Sequence, residues 1–352
     1  MLDQLERRFN KQPQLKKEYT EVIDEYLRMG HMEEVPEDEI HKDAVYLLHH
    51  AVIRYDKETS KTRIVFNASN KGTNNVSLND ELLTGPVLQE DLRSIIMRWR
   101  MHKICFASDL EKMYRMVLVK KEDADFQRVL WRQNTSTSDE VKDYRLLTVT
   151  FGTASAPYLA VKTLMQIADD EGEEQLRTTN QSYAASATKM IREDFYVDDL
   201  LSGCDTVQEA IATSQQLITI LSKGKFRLQK WSSNNAEFLR SIDPKDRSNK
   251  ANMDLTIDGT VKALGVSWNL GRDEFHYNIN LPPNPETITK RVVLADLQRL
   301  FDPLGWIAPV IVMAKIFVQR LWLLGVGWDS EIDDQSRDKW LKIKSDLENL
   351  TV

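Results

Sequence analysis

Cysteine is nearly absent: Cys105 and Cys204 are the only two in 352 residues, too few for a disulfide framework or a zinc cluster. Histidine is scarce as well. The six present show no His-x-x-x-His spacing, and the adjacent pair His49-His50 would point to opposite faces of a strand, which disfavours a shared metal. No apolar run approaches the roughly 20 residues that a membrane span needs. The N-terminus, Met1-Leu2-Asp3-Gln4-Leu5-Glu6-Arg7-Arg8, is a charged helix start without the apolar core of a signal peptide, so an intracellular protein is expected. An overall basic charge is also missing. The formal net charge of -7 counts weakly against a nucleic-acid partner, because phosphate binding is driven by basic residues. Five carboxylates in Asp169-Asp170-Glu171-Gly172-Glu173-Glu174, read as an exposed loop, mask basic clusters elsewhere. With 41% hydrophobic and 29% charged residues the chain is ordinary globular material, long enough for two or three domains or one large subdivided one.

What is present centres on Phe195-Tyr196-Val197-Asp198-Asp199-Leu200-Leu201, two adjacent carboxylates inside an apolar, β-prone run. The pattern reads as a β-hairpin with Asp-Asp at its tip. Two like charges side by side repel, and one takes up a proton unless a cation holds both ionised. A divalent metal with oxygen ligands supplies that compensation, and Mg²⁺ with phosphates is the usual case. A solvated turn is the plainer explanation of so short a string.

Taken in order, residues 1–34 carry Leu15, Tyr19, Val22, Tyr26 and Leu27 at helical spacing, with Gly30 as a stop. A hairpin follows, Ala51 to Tyr55 and Thr62 to Phe66, whose basic tip includes Lys61 with Arg63 close behind. Such a tip could fold onto a polyphosphate, Arg63 offering a bidentate fork, or be an ordinary exposed hairpin. Asn67 to Pro86 reads as loop and Leu88 to His102 as an amphipathic helix. Arg93, Arg98, Trp99, Arg100, His102 and Lys103 near that helix end suit a nucleic-acid backbone with stacking, or a solvated face. Ile104 to Ser108 is a buried strand with Asp109 at its end, and Arg115 to Val119 is expected to resume the sheet. Further strands are expected at 126–132 and 144–149.

The small-residue run Phe151-Gly152-Thr153-Ala154-Ser155-Ala156-Pro157 opens a helix to about Ala168, either for close approach of a flat ligand or for tight packing. Helices are expected at about 183–193 and, from the capping box Thr206-Val207-Gln208-Glu209, to Lys223, with Gly224 as the stop. Lys223, Lys225, Arg227 and Lys230 with Phe226 and Trp231 form a second basic-aromatic patch. Strands around 261–268 and 274–279 are joined by Gly271-Arg272-Asp273. Pro282-Pro283-Asn284-Pro285 is a linker, and three helices follow at about 286–300, 308–324 and 332–349.

Asp109 at a strand end and Asp198 and Asp199 on a hairpin would converge on neighbouring antiparallel strands. Phosphoryl transfer by two metal ions about 3.5–4 Å apart uses such convergence. The motifs resemble those of the reverse transcriptases of LTR retroelements, and most closely the BEL/Pao retrotransposon branch. Tyr196-Val197-Asp198-Asp199 looks like the metal-binding hairpin, and Ser108-Asp109-Leu110-Glu111-Lys112-Met113-Tyr114-Arg115 like the other carboxylate motif. The order of these and of Thr150 to Pro157, Lys61 to Phe66, Ser77-Leu78-Asn79-Asp80, Leu228 to Asn234 and Leu300-Phe301-Asp302-Pro303-Leu304-Gly305 agrees with that family. The likeness spans nearly the whole chain. Leu48 departs from it, standing where a Tyr-x-Pro-His-His-like stretch would have proline.

The resemblance implies an α+β, right-hand polymerase: an N-terminal helical segment at 1–43, fingers and palm at 44–279, and a helical thumb at 280–352. It implies that Asp109, Asp198 and Asp199 hold two Mg²⁺ ions, with Mn²⁺ as a substitute. Lys61 and Arg63 would grip the triphosphate. Tyr114 would fill the space of a ribose 2′-OH, Phe151 and Gly152 would border the nucleotide, and Lys230 would approach the leaving pyrophosphate or shape the hairpin. Leu264 and Gly265 would hold the primer end. The implied partners are an RNA or DNA template with its primer, deoxynucleoside triphosphates and other parts of a retroelement polyprotein (protease, RNase H, integrase), with no membrane. The implied place is a cytoplasmic particle, or the nucleus. Three functions are weighed: an RNA-directed DNA polymerase, a catalytically inactive or domesticated fragment that binds nucleic acid or protein, and a metal-dependent nuclease of another fold. Joint retention of Asp109, Asp198, Asp199, Arg63 and Tyr114 favours the first.

Overall fold

The computed structural model describes residues 2–53, 62–133, 140–178, 181–248, 260–263, 266–277, 279 and 281–350. Lys61, Leu264 and Gly265, and most of the basic hairpin tip, lie outside them. The chain begins with α1 (Leu2–Lys11) and α2 (Pro13–Arg28), then β1 (Met32–Glu34), β2 (Leu48–Ile53), β3 (Thr62–Asn67) and the one-turn α3 (Leu78–Glu81). Next come α4 (Leu92–Trp99), β4 (Ile104–Leu110), β5 (Arg128–Trp131) and β6 (Lys142–Leu146). After α5 (Ala156–Thr178) and α6 (Gln181–Glu193) stand β7 (Phe195–Tyr196), β8 (Asp199–Cys204), α7 (Val207–Lys223), β9 (Leu228–Ser233) and α8 (Ala236–Ser241). The chain ends in β10 (Thr260–Ala263), β11 (Val266–Asn269), β12 (Glu274–His276), α9 (Lys290–Gln298), α10 (Ala308–Leu323) and α11 (Asp334–Glu348). The strands form small sheets in the orders β1-β6-β5, β2-β3, β7-β8-β4-β9 and β10-β11-β12. The fold is α+β, as expected, and no helix among the described residues is long and apolar enough to cross a membrane.

Two compact units account for the chain. The first comprises Met1–Gln89, Leu110–Asp198 and Ala212–Leu228. Its core joins Leu5, Phe9, Leu15, Tyr19 and Ile23 of α1 and α2 to Ala51, Phe66, Val129, Trp131, Tyr144 and Leu146 of the strands, so the N-terminal helices are packed into this unit. Inside it Tyr19 donates its hydroxyl proton to His49 Nδ1, and His49 Nε2 donates to the carbonyl of Leu130 at 2.9 Å. Two buried arginines stand opposite each other on β5 and β6, Arg128 and Arg145. Asp125 lies within 2.8 Å of the first and 3.3 Å of the second, and Glu33 and Glu39 also pair with Arg145, so the like charges are compensated.

The second unit comprises Glu90–Asp109, Asp199–Ile211 and Gln229–Val352. Phe106 of β4 stacks on Phe238 of α8 at 5.0 Å, with Trp231 of β9 tilted against both rings. Helices α9 to α11 bury Val293, Phe317, Leu321 and Trp340 in a separate cluster.

Several elements differ from the sequence expectation. The segment expected to resume the sheet at Arg115 begins as a 3-10 turn, Met113–Met116, because Lys112 takes a left-handed φ of 52° and redirects the chain; pairing is confined to Val117–Val119, where Val149 N–H donates to the Val117 carbonyl at 2.9 Å and Val119 N–H to the Leu147 carbonyl at 3.0 Å about the Leu118–Thr148 bridge. The acidic run 169–174 is helix rather than loop. Asp169 pairs with Arg192 of α6 at 2.6 Å, and Gly172 has no room for a Cβ against Thr188 Oγ1, which would lie 2.5 Å away. The strand expected at 261–268 is two arms of a hairpin, with Ala263 opposite Val266. The capping box does start α7: Glu209 N–H donates to Thr206 Oγ1, and Thr206 N–H to the Glu209 carboxylate, each at 3.2 Å.

Candidate active site

Strand β4 is buried along most of its length, and its carboxylate emerges only near the end. Ile104 to Asp109 pair antiparallel with Cys204 to Asp199 of β8, which puts Asp109 directly opposite Asp199. Side chains so placed share a face with Cβ atoms about 5 Å apart. Both aspartates are half-buried. Ser108, one position before, is buried on the other face and donates to the Gln229 carbonyl of β9 at 2.9 Å.

Lys230 meets the first of these carboxylates, its Nζ donating to Asp109 Oδ2. The lysine sits within β9 yet has a left-handed φ of 57°. Alternation breaks there, for Trp231, Ser232 and Ser233 are all buried after the exposed Lys230. One left-handed residue in a strand acts as a bulge does, re-aiming a side chain. The ammonium offsets the repulsion between Asp109 and Asp199.

The turn between β7 and β8 is Val197-Asp198. Val197 has φ 56°, a left-handed conformation that a β-branched residue adopts only under constraint. Within the first unit the Asp198 carbonyl accepts the Leu110 N–H at 2.8 Å. The Tyr114 hydroxyl has its pKa raised, by burial first and then by the nearby Asp198 charge. The Tyr114 ring meets the Phe151 ring edge-on, with centroids 5.1 Å apart and planes at 81°. Phe151 is 66% exposed.

Gly152 follows with φ +106°, and a Cβ there would lie 2.7 Å from the Phe66 carbonyl oxygen. Only glycine fits so close a backbone approach.

The structure therefore groups Asp109 with Asp199 and Lys230, and separately Tyr114 with Phe151, Gly152 and the charge of Asp198. Arg63 lies exposed on β3 opposite Val52. Among the described residues no set of three or more His, Cys, Asp or Glu side chains forms a group able to hold a metal ion. Asp109 and Asp199 nonetheless fit Mg²⁺ by donor type. Mg²⁺ prefers hard oxygens and is usually held by one or two carboxylates, with substrate phosphates and water completing its shell.

Both basic-aromatic patches read from the sequence lose their aromatics to the core. Trp99 is buried against Trp268 at 4.7 Å, and Arg100 pairs with Asp273 at 2.6 Å. Phe226 and Trp231 are buried too. On sequence the first patch suits stacking or a solvated face; in the structure the rings of both patches pack into the core instead. Asn79, by contrast, carries no role of its own on sequence: it stands in the Ser77-Leu78-Asn79-Asp80 motif of the resemblance, within an Asn-rich stretch read as loop. Its side chain reaches the Gly152 carbonyl and the Ala154 N–H.

Residues 289–352 match a family model described as the Pao retrotransposon-like RNaseH-like domain. This stretch holds helices α9 to α11 and is part of what the motif resemblance assigns to a thumb. The whole fold is similar to a solved structure entitled "Structure of the foamy viral protease-reverse transcriptase dRH in complex with ds DNA". The TM-score is 0.57 at 14% identity, over 94% of this chain and 47% of that one. At that identity the likeness is one of fold, and the chain spans about half the length of the foamy viral protein. No curated protein matches the chain.

Proposed function

We propose that the chain is the polymerase core of a retroelement reverse transcriptase, an RNA-directed DNA polymerase that adds deoxynucleotides to a primer 3′-OH. The observation that carries this reading is the pairing of Asp109 with Asp199 across β4 and β8, two carboxylates fixed by a ladder. The fold similarity and the family match at 289–352 support a retroelement origin. In this reading the regions correspond to fingers, palm and a helical thumb.

Asp109, Asp198 and Asp199 would hold Mg²⁺, which supplies Lewis acidity to the transferring phosphoryl group. The chain's own side chains do the rest. Arg63 offers a planar fork to the triphosphate, which a flexible ammonium could not orient as well. Tyr114 closes off the volume that a 2′-OH would occupy, so deoxynucleotides are selected. Lys230, seated on Asp109, balances charge there, and in this reading it would meet an anionic leaving group. The partners in this reading are a primed RNA or DNA template and deoxynucleoside triphosphates.

The same Lys230 contact also favours a second reading. An ammonium on Asp109, with no group of three metal-ligating side chains among the described residues, suits a non-catalytic descendant that keeps the fold and binds nucleic acid or protein. Primer extension on an RNA template with Mg²⁺ decides between them. Extension by the wild-type chain, lost in Asp198→Asn with the fold and duplex binding retained, supports the polymerase; duplex binding without extension supports the second reading.

A further inference from the structure

Thr150 to Ala154 carries the exposed Phe151 ring between two polar anchors, and each anchor is a side-chain amide. On one side lies Gln127, itself buried. Its Nε2 donates to the carbonyls of Leu146 at 2.8 Å and Thr148 at 2.9 Å, and its Oε1 accepts from Thr150 Oγ1 at 2.8 Å. This amide fixes where the strand leading to Phe151 ends.

On the other side stands Asn79. Its Nδ2 donates to the Gly152 carbonyl at 3.0 Å and to Ser69 Oγ at 2.8 Å, while its Oδ1 accepts the Ala154 N–H at 2.8 Å. One amide thus reads a carbonyl and an N–H two residues apart, gripping the turn just after Phe151. Asn79 is itself held. It lies on α3, whose N-terminus is closed by a reciprocal capping box between Ser77 and Asp80, and its own N–H donates to the Ala68 carbonyl at 3.0 Å.

Gly152 explains why such a grip is needed. At its φ of +106° and so close to the Phe66 carbonyl, Gly152 contributes no side chain to hold the turn, Phe151 is largely exposed, and on the near side only the buried Thr153, donating to the Thr150 carbonyl at 2.9 Å, ties the turn down. Among the described residues the ring has one aromatic contact, a T-shaped one with Tyr114. Where the backbone of 152–154 sits therefore decides where the Phe151 ring meets Tyr114.

We infer that Asn79 is a positioning residue for sugar selection: it holds the 152–154 turn so that Phe151 keeps the Tyr114 ring in place, and it acts through those rings without touching the nucleotide. This inference rests on the polymerase reading, in which Tyr114 excludes the 2′-OH. Asn79→Ala removes both bonds to the turn. Asn79→Asp keeps an acceptor for Ala154 N–H and sets an anion against the Gly152 carbonyl, so it separates the two bonds.

The test compares kcat/KM for one deoxynucleoside triphosphate with that for its ribonucleoside counterpart on one primed template. Amide exchange at Ala154 and the urea midpoint are measured on the same proteins. Both variants should lose about tenfold or more of the deoxy preference, through ribonucleotide incorporation that rises relative to deoxynucleotide incorporation. Ala154 exchange should speed up in Asn79→Ala and stay slow in Asn79→Asp. In a Tyr114→Val background the Asn79 substitutions should add nothing to the lost preference. An unchanged sugar ratio in both variants overturns the inference. So does an equal loss for both sugars accompanied by a lowered urea midpoint, since that is destabilisation alone. If the wild-type protein fails to extend the primer, the polymerase reading itself falls before any variant is compared, and the inference falls with it.

Discussion

Asp109 and Asp199 face each other across the β4–β8 ladder, and Lys230 caps the first of them. Like charges directly opposite in a sheet are destabilising, and Lys230, more than half exposed on its side chain, offsets that cost only in part. The ladder, and not the carboxylates, holds the strands together. Asp109→Asn and Asp199→Asn should therefore fold as well as the wild type or slightly better, with urea midpoints equal or higher. Each should lower primer extension by about a hundredfold or more, the scale of losing one oriented electrostatic group in a reacting site. Denaturation midpoints and single-turnover extension rates on the same preparations check both halves.

Gly152→Ala should be far more damaging than an exposed turn substitution normally is. The new Cβ would press to 2.7 Å from the Phe66 carbonyl, and the φ of +106° is one that alanine resists. The expected cost is about 1–3 kcal/mol, with displacement of Phe151 from Tyr114. A lowered urea midpoint together with relaxed sugar selection is the expected outcome. Alanine at the exposed Gly305, whose φ is also positive but which has open space around it, should cost less.

Much of the fold is legible along the chain because it rests on local rules. The Thr206–Glu209 box and the helices after Pro285 are each encoded within a few residues, and so is the hairpin between apolar arms, although its turn is Val197-Asp198, one position before the expected Asp198-Asp199 tip, with Asp199 already in β8. What the pattern does not disclose depends on distant partners. Asp169 to Glu174 looks like solvent-facing loop until Arg192 and Thr188 of the next helix come alongside. Trp99 and Trp231 look like stacking platforms until Trp268 and Phe106 bury them. The candidate site divides the same way: Asp109 and the Asp198-Asp199 pair stand out by residue type. The resemblance names Lys230 and the motif that holds Asn79, but the left-handed backbone that turns Lys230 onto Asp109 and the grip of the Asn79 amide on Gly152 depend on residues far away in sequence.

Two buried imidazoles make the first unit sensitive to mild acid. Burial lowers the pKa of His49, and burial with the neighbouring Arg115 and Lys112 lowers that of His31. Each ring nitrogen facing a donor, Tyr19 O–H or Arg115 Nε–H, needs its lone pair, so the neutral form is the one that fits. An unfolded histidine titrates near about 6.5. Above that pH both states are neutral and the full stability is present. As pH falls below it the unfolded chain takes up protons that the folded chain refuses, and stability drops until the lowered folded pKa values are passed. The slope is at most about 1.4 kcal/mol per pH unit for each group. Urea midpoints at pH 7.5, 6.5 and 5.5 should fall in that order, and the fall should be shallower in His49→Asn.

The C-terminal helices offer a test of buried charge that is independent of any chemistry. Lys344 of α11 and Asp296 of α9 are almost wholly buried, 3% and 4% exposed at their side chains, and meet at 2.9 Å. Lys344 also donates to the Pro282 carbonyl, so the ammonium ties the linker to the helices. Removing the charge of one partner strands the other in a medium that cannot solvate it. Asp296→Asn and Lys344→Met should each cost about 3–5 kcal/mol, whereas Asp296→Leu combined with Lys344→Met should come close to wild type or exceed it. The double variant also leaves the Pro282 carbonyl without its donor, a loss of about 1 kcal/mol that sets the lower edge of the expectation. Thermal unfolding of the full chain, compared with amide hydrogen exchange over 290–348, reads the effect globally and in the helices that hold the pair. A double variant less stable than both single variants would mean that the pair is held for its attraction and not merely for mutual compensation.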